Sequence, residues 1–197
     1  MFHESRESRR KVAVVSGASG GIGRALCDLL RQRGYWVIGL ARAQGRALDA
    51  AHVDHSVTCD LTDAASLAEA ARAIRNASEH IDLFVFCAGA IAPQPVAALQ
   101  ADLAQEQVQI NLVGVMQLTH AILPAMAEGS HINYPYSMAG VFPLAGRSVY
   151  TASTFGLRGP AQALEQALRT RQIRAHYVLP ARVNTRKLRK GIGHSRP

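Results

Sequence analysis

The apolar run Val12-Ala13-Val14-Val15 leads directly into Ser16-Gly17-Ala18-Ser19-Gly20-Gly21-Ile22-Gly23 and then into a stretch of helical periodicity. No other part of the chain limits the choice of fold so strongly. Gly17, Gly21 and Gly23 follow a G-x-x-x-G-x-G spacing. Such a loop lets the backbone approach a diphosphate, and the following helix presents unpaired N–H groups and the positive end of its dipole to the anion. A glycine cluster by itself also makes a plain tight turn. Here a strand precedes it and a helix follows, so nucleotide binding is the expected role.

Downstream, short β-branched runs keep alternating with longer helical periods. Strands are expected at Val12 to Val15, Trp36 to Leu40, His55 to Thr58, Leu83 to Phe86, His131 to Tyr134 and Ala175 to Leu179, and helices at Gly23 to Gln32, Ala64 to Ala77, Leu103 to Ala127 and Tyr150 to Arg171. That alternation predicts an α/β fold, a Rossmann-type doubly wound parallel sheet whose ligand crevice lies at the carboxyl ends of the strands. With 197 residues and 48% hydrophobic content the chain can bury one core. The expected layout is a basic N-terminal tail over 1–10, one domain over 11–185 and a basic C-terminal tail over 186–197.

Several function classes fall away. No uninterrupted apolar run reaches the roughly 18 residues of a membrane span, and the start, MFHESRESRRKVAVV, has no signal-like apolar segment. A soluble, cytoplasmic protein is expected. Cys27, Cys59 and Cys87 are far apart, without C-x-x-C spacing, so buried reduced thiols are expected and neither a disulfide framework nor a metal site. The net charge of +8 fits an acidic partner or a phosphorylated cofactor. Its positive residues concentrate at the two ends, where solvated tails explain them, and 6% aromatic residues offers little stacking surface, so nucleic acid is not the expected partner.

The end of the second strand discriminates between nicotinamide cofactors. It reads Gly39-Leu40-Ala41-Arg42 and has no carboxylate for ribose hydroxyls. Arg42 suits the 2′-phosphate of NADP, which a guanidinium binds bidentately; Arg46 is either an assistant or a solvated residue. After the third strand, Asp60 is either an adenine-side contact or a turn residue.

Farther along, Asn111 sits in Ile110-Asn111-Leu112, Ser137 precedes Met138-Ala139-Gly140, and Tyr150 lies thirteen residues after Ser137. With the glycine loop, Cys87-Ala88-Gly89 and Pro180 to Thr185, these residues resemble the short-chain dehydrogenase/reductase family over about Lys11 to Thr185, nearest in look to its 3-oxoacyl-carrier-protein reductases. The resemblance implies hydride transfer between a nicotinamide and a carbonyl or carbinol carbon, with Tyr150 as proton donor or acceptor, Ser137 polarising the oxygen and Asn111 bracing the site. It implies cofactor contacts at Gly17, Ser19, Gly20, Gly21, Ile22, Gly23, Arg42, Asp60, Leu61, Cys87, Ala88, Gly89, Thr154, Pro180, Val183 and Thr185, with NADPH as the cofactor.

The chain departs from the family where it matters most. Thr154 stands where members carry a lysine that lowers the phenol pKa and holds the nicotinamide ribose. Arg158 and Arg147 are the nearby cations, either substitutes or surface residues. Cys87 replaces an asparagine, Ala181 replaces the glycine of a Pro-Gly turn, and the sequence after Thr185 is too short for the family's last strand and substrate lid, so both are expected to be missing.

Two readings stay open, with a third behind them. One is an NADPH-dependent carbonyl reductase of weakened chemistry, acting on a ketone such as a 3-oxoacyl thioester. Another is a non-catalytic or partner-dependent subunit that pairs with itself or with a complete homologue through the two long helices, along faces containing Ala161, Ala163 and Ala167. The third is a nucleotide-binding regulator. Residues 91–97 and 142–147 are expected to line the substrate pocket, and their small or apolar character matches many carbonyl compounds.

Overall fold

The computed structural model describes residues 9–43, 48, 50–135, 137–180 and 183–185. Arg46, Ala181 and the tail 186–197 lie outside the described residues. Six parallel strands, β1 (Val12–Ser16), β2 (Trp36–Ala41), β3 (His55–Thr58), β4 (Ile81–Phe86), β5 (Met126–Pro135) and β6 (Arg174–Val178), form one sheet in the order β3-β2-β1-β4-β5-β6. The order reverses between β1 and β4, which opens a crevice at their carboxyl ends. The expected single-domain, Rossmann-type doubly wound sheet is therefore observed.

Both faces of the sheet are covered, as a parallel sheet requires, though unequally. The smaller core packs helix α1 (Gly21–Gln32) through Cys27 and Leu30 onto Ala13, Val15 and Val37. On the opposite face the larger core gathers Leu67, Ala70 and Ile74 of α2 (Ala64–Ala77), Val115, Leu118 and Ile122 of α4 (Gly114–Ile122), and Leu157 and Ala161 of α5 (Ser148–Ala167) over Val14, Ile38, Phe84 and Ile132. Local chemistry fixes the ends of these helices. Asp63 caps α2 by accepting from the Ala65 N–H at 2.9 Å. Tyr35 N donates to Leu30 O at 3.0 Å across Gly34, whose φ is +81°, so α1 closes in a left-handed glycine cap.

Three expectations about the elements need correction. The helix expected over Leu103 to Ala127 is really α3 (Ala101–Val108), a wide π turn (Gln109–Val113), α4 and a 3-10 turn (Leu123–Ala125) containing Pro124. The strand expected to begin at His131 begins at Met126. Its pairing runs Ile81 to Met126 and then Leu83 to His131, with a bulge between that holds Gly129 at φ +69°. Finally, Arg9 and Arg10 are not part of a frayed tail. Arg9 pairs with Asp82 at 2.6 Å and Arg10 with Asp54 at 3.7 Å.

The composite helix Ala101–Ala125 is long and apolar enough to cross a membrane, contrary to the count of uninterrupted runs. Its polar residues are spaced too widely to break the average. Val115, Leu118 and Ile122 nevertheless lie in the larger core, so it serves here as a core helix.

Candidate functional site

At the carboxyl end of β1 the glycine loop is packed backbone to backbone. Gly17 has φ +65°, and a Cβ there would lie 2.6 Å from Ala88 N. A Cβ on Gly23 would come within 2.3 Å of Gly17 O. Gly20 N donates to Gly17 O at 2.9 Å, and the buried Ser16 hydroxyl accepts from Ala88 N at 3.3 Å. These contacts draw Cys87-Ala88-Gly89, after β4, against the loop after β1. Gly20, Gly21 and Ile22 are exposed, Ser19 is half-buried, and α1 begins without a side-chain cap or an acidic residue in its first turn. A cradle of glycines before an uncapped helix start is the arrangement a diphosphate fits. Thr185 lies across it, its Cγ2 at 3.0 Å from the position of a Cβ on Gly21, in a turn where Thr185 N donates to Val183 O at 2.8 Å. Pro180 is half-buried and Val183 exposed.

Asp60 follows β3, and both the backbone N–H and the hydroxyl of Thr62 donate to its Oδ1, at 2.9 and 2.7 Å. Burial pushes the Asp60 carboxyl up, but the Thr62 donors and the Arg42 guanidinium outweigh it and hold the group below its ordinary range. Asp60 is thus a turn residue, and it also shares its surroundings with Arg42, which is exposed at the end of β2. Leu61, next in sequence, is buried, and its Cβ would lie 2.9 Å from a Cβ on Gly114. Residues able to hold the adenosine half of a dinucleotide therefore converge from β2 and β3. If Arg42 reads a 2′-phosphate, Arg42→Ala should weaken NADPH about a hundredfold and NADH severalfold at most. Competitive titration of the two cofactors checks this, and equal losses would remove the assignment.

At the far side of the crevice, Ser137 opens a 3-10 turn (Met138–Gly140). Its Oγ accepts from Ala139 N at 3.1 Å, which leaves the hydroxyl proton to donate. The turn packs on α5, where a Cβ on Gly140 would stand 3.3 Å from Thr154 O. Tyr150 is half-buried on the first turn of α5. Asn111 is buried in the π turn, its Oδ1 accepting from Ala90 N at 2.7 Å while its Nδ2 donates to Ala90 O at 2.8 Å and to Ser153 Oγ at 3.2 Å. Ser153 Oγ in turn donates to Tyr150 O at 2.9 Å. Asn111 thereby ties the loop after β4 to the tyrosine helix; π turns frequently occur at functional sites.

Thr154 does not present its hydroxyl to the crevice. It is 7% exposed, and its Oγ1 lies 2.9 Å from both Tyr150 O and Thr151 O, back-bonded within α5. The hydroxyl is already engaged there, so the ribose contact expected of Thr154 has no support in its placement. Arg158 is exposed while Thr154 is buried, and Arg147 lies at the cap position of α5. Burial pushes the Cys87 thiol up to about 12, with Cys27 adding to the effect, so at neutral pH it is an uncharged thiol. The three cysteines are free thiols, Cys27 and Cys59 buried and Cys87 half-buried.

Two buried glutamines were missed from the sequence. Gln107 Nε2 donates to Ala90 O at 3.2 Å, and Gln94 Nε2 to Gln107 Oε1 at 3.4 Å. Gln94 N donates to Gly146 O at 2.9 Å, and Ser148 Oγ to Gln94 O at 3.3 Å. The two loops expected to line the substrate pocket are joined by this chain into one wall, with Val96, Leu99, Phe142 and Leu144 exposed along it. Nothing in the local sequence distinguishes these amides from surface residues.

The family model for short chain dehydrogenases matches residues 11–193. A short-chain type dehydrogenase/reductase of Sinorhizobium fredii is 32% identical over 94% of this chain and 75% of its own. The 3-oxoacyl-[acyl-carrier-protein] reductase of Vibrio harveyi is 28% identical over 89% of this chain and 74% of its own. Among solved structures, an actinorhodin polyketide ketoreductase variant with NADPH superposes with a TM-score of 0.80 at 27% identity, covering 89% of this chain and 72% of that one. A short-chain dehydrogenase/reductase of Serratia marcescens gives 0.83 at 26%, covering 89% and 76%. With the glycine cradle, the serine turn and the tyrosine helix at one end of the sheet, this chain belongs to the short chain dehydrogenase family of oxidoreductases.

Proposed function

We propose that the protein is an NADPH-dependent carbonyl reductase of reduced chemical efficiency, acting on a ketone of the 3-oxoacyl thioester class. The observation that carries this reading is Ser137 Oγ, whose one hydrogen bond among the described residues is accepted, leaving its proton for a substrate oxygen, on a turn packed against the helix of Tyr150. Bound NADPH supplies hydride to the carbonyl carbon. Ser137 donates to the carbonyl oxygen and stabilises the charge that develops there, and Tyr150 gives that oxygen its proton as it becomes an alcohol. Asn111 and Ser153 fix the tyrosine helix against the loop after β4. The glycine cradle would hold the diphosphate, Asp60 and Arg42 the adenosine half, and Thr185 the nicotinamide side.

The cofactor choice rests on Arg42 and on the ketoreductase neighbour solved with NADPH. The substrate class rests on the acyl-carrier-protein reductase relatives and the apolar wall of Val96, Leu99, Phe142 and Leu144. Reduction as the direction rests on the acyl-carrier-protein reductase relatives and the ketoreductase neighbour. For assembly, an apolar groove between α4 and α5, lined by Met116, Leu123, Leu157 and Leu164, supports pairing of two copies through these helices. Ala161 is buried in the core of its own chain, whereas Ala163 and Ala167 are exposed on α5. The free state of the three thiols supports a cytoplasmic location.

The test is NADPH oxidation with a 3-oxoacyl thioester. Tyr150→Phe should lower kcat at least about a hundredfold while leaving NADPH affinity within a factor of two. Equal activity in the two proteins would overturn Tyr150 as donor. Binding of NADPH without turnover on any ketone would instead favour the nucleotide-binding, non-catalytic reading.

A further inference from the structure

The smaller core ends at Leu83 and Cys87, so on the face that carries α1 no helix packs over β5 and β6 among the described residues. Strand register sets His131 beside Arg174 and Asn133 beside His176, and Leu83 stands in the row of His131, so these side chains share that open face. A cavity of about 650 Å³ lies here, lined by His131, His176, Arg169, Gln172, Arg174 and Glu165. It sits at the amino end of the β5–β6 ladder, whereas the nucleotide crevice is at the carboxyl ends of the strands. The reductase reading uses none of these residues.

We propose that this cavity is a second ligand site, one that takes a phosphate group. Neither Arg169 nor Arg174 has an ion pair or a side-chain hydrogen bond among the described residues, whereas Arg9, Arg10 and Arg31 each meet an aspartate. Two guanidiniums lining one cavity repel each other, and a shared anion replaces that repulsion with two attractions. Each guanidinium also offers a planar pair of N–H donors that matches two phosphate oxygens. The histidines add one more donor. His131 Nδ1 and His176 Nε2 are 2.8 Å apart, and the rings are 18° from parallel with their centroids 5.0 Å apart. That separation is the sum of one N···N hydrogen bond and two ring radii, so the rings meet edge to edge rather than face to face. The proton between them can belong to either ring, and the neutral pair carries one further N–H, on His131 Nε2 or on His176 Nδ1. An anion beside Arg174 selects the tautomer with that N–H on His131. Gln172, at φ 54° and with its side-chain amide bonded to Glu128, fixes the short turn between the two arginines. Glu165 is the carboxylate in the lining, and against two guanidiniums it leaves the cavity net positive. A phosphate group, with a charge of about −2 and three acceptor oxygens, engages both arginines and the imidazole at once; a carboxylate has only two oxygens to share among them.

Calorimetric titration of the full chain with inorganic phosphate and, separately, with glycerol phosphate, at constant ionic strength in chloride, tests this without any assay of turnover. Its failure is therefore distinct from failure of the reductase reading. Wild type should show saturable binding with a dissociation constant of about 1 mM or below. Arg169→Gln and Arg174→Gln should each weaken it at least about tenfold, and Arg174→Lys, which keeps the charge but loses the paired donors, should fall between. Both arginines are exposed, so these variants should keep the wild-type Tm. Arg72→Gln, on the exposed side of α2, should leave the affinity unchanged, and Glu165→Gln should tighten it severalfold. Tighter binding of glycerol phosphate identifies an ester as the ligand, and tighter binding of inorganic phosphate identifies the free anion; either order supports a phosphate site. No saturable binding by wild type, unchanged affinity in the arginine variants, or an equal loss in Arg72→Gln would overturn the proposal.

Discussion

Thr154→Lys is expected to raise the turnover of ketone reduction by about a hundredfold, within the range a well-placed acid–base group contributes. Position 154 is buried one helical turn after Tyr150, next to the turn that carries Ser137, and the threonine hydroxyl is spent on the carbonyls of Tyr150 and Thr151. No charge acts from that position on the phenol. An ammonium there stabilises the phenolate left when the proton departs, an effect largest as the proton moves, so kcat should change far more than NADPH affinity. Burying the new cation should cost about 1 to 3 kcal/mol of stability. Thr154→Met separates charge from repacking and should give no gain. Steady-state kinetics of the three proteins on one ketone decide the matter, and an unchanged kcat for Thr154→Lys would place the limiting defect elsewhere in the site.

Gly23→Ala should be severely damaging for the addition of a single methyl group. Its Cβ would lie 2.3 Å from Gly17 O, 2.9 Å from Gly17 C and 3.0 Å from Ala18 Cα. All three are backbone or directly attached to it, so no side chain can swing aside. Either α1 withdraws or the loop opens, and both break the cradle. A stability loss of about 3 kcal/mol or more and at least tenfold weaker nucleotide binding should follow. Gly34→Ala is the control. Nothing lies within 4 Å of a Cβ there, and only its φ of +81° resists substitution. It should cost about 1 kcal/mol and leave cofactor affinity unchanged. Urea unfolding with NADPH titration measures both, and a mild phenotype for Gly23→Ala would contradict the packing described.

The central sheet was legible in the sequence because its strands are short β-branched runs with helices between them, a pattern only a covered parallel sheet satisfies. The start of β5 was hidden because Glu128-Gly129-Ser130 has the composition of a turn, and a bulge uses the same residues for the same backbone reason. The π turn was equally hidden, since Gln109 to Val113 continues the helical period on either side of it. Of the candidate site, the glycine loop was suggested by its spacing, and Ser137, Asn111 and Tyr150 by the resemblance to the family. The Gln94–Gln107 bridge was not, because whether an amide is buried depends on what the fold places over it. The engagement of Thr154 within its own helix followed from side-chain direction, which spacing alone does not give.

The most direct test is calorimetric titration of the purified chain with NADPH and, separately, with NADH. Saturable NADPH binding with NADH at least about tenfold weaker is the predicted result. No binding of either cofactor would contradict the account, because the glycine cradle, Arg42 and Thr185 would then have been assigned to a ligand they do not hold.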